Sequence, residues 1–170
     1  LGLREATVVC PRGHLLLAES PAPFVTGSLE QQLLAAARDL LASTAYVGAA
    51  VVRFLLDLPG EAFWLESVDT LARPEHALTE EATGASFVGL RLRIARGATL
   101  DPEPPSVDGW AVEVRLLAHD PERGHAPSSG PVRMLSLPVG TGVRVDASLR
   151  EGDEVDALAV TDNGVHLIEI

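Results

Sequence analysis

Leu29, Leu33, Ala36, Ala37, Leu40 and Leu41 recur at intervals of three and four residues, the period of a helix that buries one stripe. Ser28 with Gln31 three residues later is a capping-box signature just ahead of them, so the spacing predicts a helix over 29–43. Upstream, EATVVC and HLLLAESPAPF read as two extended segments around the turn-forming PRG, closing on a rigid PAP. Downstream, YVGAAVVRFLLD and EAFWLES are rich in β-branched and aromatic residues and are separated by LPG, which predicts a hairpin turning at 58–60. A second helix is expected from Thr79, with Glu80 and Glu81 at its positive end, running through SFVGLRLRIAR to a stop at Gly97.

Residues 98–108, ATLDPEPPSVD, hold three prolines and no periodicity, and read as a linker. Beyond them WAVEVRLLAHD, VRMLSLP, GVRVDASL and ALAVTDNGVHLIEI alternate with the turn signals DPERG, PVGTG, REGD and TDNG. That pattern predicts a mostly antiparallel second half, its last segment folding as a hairpin. The class expected is α+β.

Charge narrows the partners. The net charge is -11 and the isoelectric point about 4.8, so attraction to nucleic acid or to an anionic membrane is not expected. The longest apolar stretch is broken by Arg38 and Asp39 and is amphipathic, which argues against a membrane span. The N-terminus lacks the basic start and apolar block of a signal peptide. One cysteine, Cys10, allows neither an internal disulfide nor a multi-thiolate metal site, and a reducing cytoplasm fits. All 13 basic residues are arginine, so no lysine chemistry originates here. His14, His76, His119, His125 and His166 show no paired ligand spacing.

The ordered segments SPAPF, YVGAAVVRF, FWLESVDTLARPEHALTEEATG, LRIARG, GWAVEVRLLAHDP, PSSG and GTGVRVDASLREGDEV span roughly residues 4–155. Together they resemble the C-terminal half of the biotin carboxylase family, ATP-grasp enzymes that carboxylate biotin with bicarbonate and ATP. The resemblance implies the end of an ATP-grasp-like antiparallel sheet with helices over 1–97, and a mostly β domain like the biotin carboxylase C-terminal domain over 98–170. The family's N-terminal domain and nucleotide lid find no counterpart in these segments. After GDEV the chain also departs from the family's ending, which puts any interface built there in doubt.

The resemblance assigns roles position by position. Of the two acidic residues that hold Mg²⁺ against the phosphates in the family, the first falls on Arg53 and the second on Glu66; with one residue inserted after Glu66, Asp69 stands at the following metal position. A cation in place of a carboxylate at roughly 4 Å from a metal turns a favourable interaction of several kcal/mol into an unfavourable one. The family's catalytic arginine falls on Leu71, its glutamine on Arg73 and its valine on Pro74, while Glu75 keeps the base that acts on bicarbonate. Arg73 takes over from the lost arginine only if its loop is re-routed. The bicarbonate-contacting lysine becomes Leu15. Arg115 matches the arginine that contacts the biotin ureido group.

From the residues alone, Glu66 and Glu75 read either as a general acid and base or as a strand-end carboxylate and a residue capping the next helix. Arg53, between apolar neighbours on a strand, reads as an ion-pair partner, with Glu66 the expected partner. Two functional classes are consistent with these readings. One is a carboxylase-like interaction or regulatory module without catalysis, with no cofactor for this chain alone, contacting biotin, a biotinylated carrier, a carboxylase subunit or a second copy. The other is a divergent part of an active biotin-dependent carboxylase using ATP, Mg²⁺, biotin and bicarbonate. A weaker third reading is a small acid bound by Arg53, Arg73 and Arg115.

Overall fold

The computed structural model describes residues 6–9, 15–25, 27–57, 62–71, 75–100, 105–156 and 164–169. In chain order β1 (Ala6–Val9) and β2 (Leu15–Ser20) lead into α1 (Gly27–Ser43). The hairpin β3 (Val51–Asp57) and β4 (Ala62–Asp69) comes next, then α2 (His76–Thr83) and α3 (Phe87–Ala95). The second half holds β5 (Ala111–Leu117), β6 (His119–Asp120), β7 (Ala126–Pro127), β8 (Gly130–Pro131), β9 (Val143–Ala147), β10 (Glu154–Val155) and β11 (Gly164–Glu169). All pairings among the described residues are antiparallel.

The central sheet has the order β1-β2-β5-β11-β9. Strands from before and after the proline-rich segment therefore share one sheet, and Asp108 at the end of that segment donates its N–H to the Ala82 carbonyl at 2.8 Å. The second half does not build a separate β layer among the described residues; its long strands complete the sheet that β1 and β2 begin. β11 lies between β5 and β9, and the first arm and turn of the expected C-terminal hairpin lie outside the described residues. VRMLSLP forms no strand: Val132 exchanges backbone hydrogen bonds with Gly152 and Asp153, and Met134 is exposed.

The helix expected over 29–43 begins two residues earlier, at Gly27, so Ser28 sits inside the first turn rather than capping it. The single helix expected from Thr79 to Gly97 is two helices. Gly84 adopts φ +67° at the end of α2, donating to the Glu80 carbonyl, a left-handed conformation that glycine enters without steric cost. Two residues later the Ser86 hydroxyl accepts from the Gly89 N–H and starts α3, and Glu80 Oε1 accepts from the Phe87 N–H at 2.7 Å. Because α2 starts at His76, Glu80 and Glu81 lie past its positive end and serve instead as acceptors. The stop near Gly97 holds. The hairpin's strands pair as expected from Val51 onward, while residues 58–60, the expected turn, lie outside the described residues. Before it, Tyr46 folds over Gly48 and donates to the Ala49 carbonyl at 3.0 Å; a Cβ on Gly48 would meet the Tyr46 hydroxyl at 2.5 Å.

Among the described residues, Ala18 of β2, Ala111 of β5 and Ala77, Leu78 and Ala82 of α2 form one buried apolar cluster. Alanines on both strands let α2 lie close on the sheet, and Leu78, fully buried, is the largest apolar side chain in the contact. Leu78→Ala is expected to lower unfolding free energy by about 2–5 kcal/mol in urea denaturation.

Candidate functional site

Alternation along β5 puts Ala111, Glu113 and Arg115 on one face of the sheet. Ala111 and Glu113 are buried there beneath α2, and Arg115 is nearly so. Glu75 is the residue before α2, at the N-cap position, yet its side chain makes no capping hydrogen bond. It turns to the sheet instead: Arg115 Nη2 donates to Glu75 Oε1 at 3.0 Å, with side chains 12% and 6% exposed. Arg115 Nε also lies 3.5 Å from Glu113 Oε1. On the other side, Arg53 Nη2 of β3 comes within 4.0 Å of the same Glu75 oxygen, its side chain 31% exposed. Charges therefore alternate along Arg53, Glu75, Arg115 and Glu113.

Arg53 does not pair with Glu66. In the hairpin Arg53 stands opposite Ser67 and Phe54 opposite Leu65, so Glu66 is the extra residue of a β-bulge, exposed on β4. Asp69 Oδ1 accepts the backbone N–H of Leu71 at 2.9 Å and so shapes the turn after β4. Leu71 is exposed, Leu15 begins β2, and Arg73 lies outside the described residues.

These residues do not fit a divalent cation. Hard cations require several oxygen donors, whereas the position between β3 and α2 carries a guanidinium directed at the acidic residue nearest it. Among the described residues no group of three His, Cys, Asp or Glu could hold a metal. Arg115 is engaged by two carboxylates, so a biotin contact would have to compete with them. Sequence reasoning missed Glu113, whose two-residue spacing from Arg115 on an alternating strand was the available signal. It also missed Arg91 of α3, whose guanidinium lies 5.9 Å from the Phe87 ring centroid, with Phe87 in turn stacked 5.2 Å from His76.

A separate network lies at the other end of α2. Arg144 of β9 reaches Glu80, Glu81 and Asp146 at 3.3, 3.1 and 3.1 Å. Burial works against its charge, but the carboxylates of Glu81, Asp146 and Glu80 outweigh it and raise its pKa above the usual guanidinium value. The net effect clamps α2 to the far strand of the sheet.

Comparison with known proteins agrees with this architecture. The family model for the carbamoyl-phosphate synthase L chain, ATP binding domain, matches residues 2–103. Biotin carboxylase 1 of Bacillus subtilis is 32% identical over 89% of this chain and 34% of its own length. The biotin-dependent acyl-coenzyme A carboxylase alpha3 subunit of Mycobacterium leprae is 35% identical over 85% and 24%. The biotin carboxylase domain of a thermophilic 2-oxoglutarate carboxylase, solved bound to bicarbonate, superposes with a TM-score of 0.87 at 25% identity, over 97% of this chain and 37% of that one. The chain belongs to the biotin carboxylase family, within ATP-binding domains of the carbamoyl-phosphate synthase L chain type. It spans about a third or less of the length of these curated relatives.

The ion pairs differ in cost when broken. Arg115→Gln leaves a buried carboxylate without its close cation and is expected to destabilise by about 3–5 kcal/mol. Arg53→Gln, at 4.0 Å and partly in solvent, is expected to cost under about 1 kcal/mol. Urea unfolding of both variants measures the difference.

Proposed function

We propose that this protein is a biotin carboxylase-like module without ATP-dependent catalysis of its own, working through contact with a carboxylase subunit, a biotinylated carrier or a second copy. The observation that carries the reading is that Arg53 directs its guanidinium at Glu75; by the resemblance Arg53 falls on the family's first acidic metal position and Glu75 on its base. The Oε1 of Glu75 is held at 3.0 Å by Arg115 and approached by a second arginine, so a substrate reaching this oxygen would have to displace contacts already made. Leu15 and Leu71 remove two further charged contacts to bicarbonate and substrate that the resemblance would supply. The division into an ATP-grasp-like part over 1–97 and a C-terminal-like part over 98–170, and the cytoplasmic setting, belong to the same proposal.

The competing reading is a divergent part of an active biotin-dependent carboxylase. It is favoured by the retention of Glu75 and Arg115 together, and it requires Arg73 to replace the arginine lost at Leu71 and other residues to hold the metal. Calorimetric titration of the full chain with MgATP, and an assay of ATP cleavage dependent on bicarbonate and biotin, separate the two. The module reading expects no saturable MgATP heat and no such cleavage. Saturable MgATP binding with bicarbonate-dependent cleavage would replace it with the enzymatic one.

A further inference from the structure

A cavity of about 590 Å³ lies between α1, the β3–β4 hairpin and α3, within the range of sites that enclose small molecules. Leu33, Leu34, Ala37 and Leu41 of α1 form one wall, and Leu90 and Ile94 of α3 face it across β3. Protein interiors are normally closed to near crystal density, yet α1 fully buries Leu29 alone and α3 fully buries no residue. Three members of the apolar stripe of α1, Leu33, Ala37 and Leu41, therefore face space that the described chain leaves open.

Arg53 lines this cavity. Its guanidinium has five N–H donors, one ion pair at the outer limit of 4.0 Å, and a side chain 31% exposed. Arg91 lines the same space, and its Nη1 is buried with no hydrogen-bond partner, so an acceptor that reached it would satisfy a stranded donor. The lining charges balance: Arg38, Arg53 and Arg91 against Glu30, Glu66 and Glu75. A polyanion such as a nucleoside triphosphate would meet three carboxylates, whereas one negative charge on an apolar body meets a guanidinium at one end and aliphatic walls at the other.

We propose that this cavity binds a small monocarboxylic acid with an aliphatic body, its carboxylate on the Arg53 guanidinium and its chain along the apolar face of α1. The assignment rests on reading Arg53 as a residue that displaces a metal; the MgATP titration tests that reading separately from any binding of a carboxylic acid.

The probe is octanoate, titrated into the full chain by calorimetry and by ligand-observed NMR below its micelle-forming concentration, with octanol and octylamine as size-matched controls. Saturable one-to-one binding of octanoate is expected. Arg53→Gln should weaken it by about tenfold or more, the scale of one charge-assisted hydrogen bond, while leaving octanol unchanged. Ala37→Trp, which fills the space from the α1 wall, should weaken octanoate and octanol alike. Absence of saturable octanoate binding, octylamine binding as tightly as octanoate, or octanoate affinity unchanged by Arg53→Gln would each overturn the assignment.

Discussion

A carboxylate buried at the foot of a helix must find a cation, and the pairing of Glu75 with Arg115 at 3.0 Å organises the rest of the molecule. Left alone, Glu75 would lose its hydration without compensation, a cost of several kcal/mol. Paired with Arg115 through Oε1, it fixes the start of α2 over β5. Arg144 does the same at the far end of α2 through Glu80 and Glu81. The helix is thus held at both ends by ion pairs and in the middle by Leu78, where its described contacts with the sheet are mainly alanine.

The same pairing defines what the site can do. Glu75 has its Oε1 taken by one arginine and approached by another, while its Oε2 is buried without a hydrogen-bond partner. A metal site needs converging oxygens; Glu66 is put out on a bulge, Asp69 accepts the Leu71 N–H in a turn, and Arg53 reaches toward Glu75. Each of these departures is small in sequence, one residue apiece, and each acts on the same few ångströms.

Much of the fold is legible in sequence because its cues are local. The α1 stripe, the strand pairs flanking the first two turns, and the ordered motifs of the family resemblance all lie within short windows. The division between α2 and α3 is hidden because apolar periodicity runs on through TGAS, although Gly84 and then Ser86 are a stop and a start in sequence. The site is legible in its residues but not in its partners. Arg53 and Glu66 sit across one hairpin, and simple register would join them; the bulge at Glu66 removes that contact, and Glu75, more than twenty residues along the chain, takes its place. Glu113 is hard to single out because a buried acid on a strand looks, in sequence, like any exposed one.

The claim that one buried ion pair seats α2 is tested most directly by a double-mutant cycle on Glu75→Gln and Arg115→Gln, read by urea unfolding. The account predicts a coupling energy of about 2 kcal/mol or more, with the double variant more stable than either single one. A coupling below about 0.5 kcal/mol would mean that the two side chains act independently, and would contradict it.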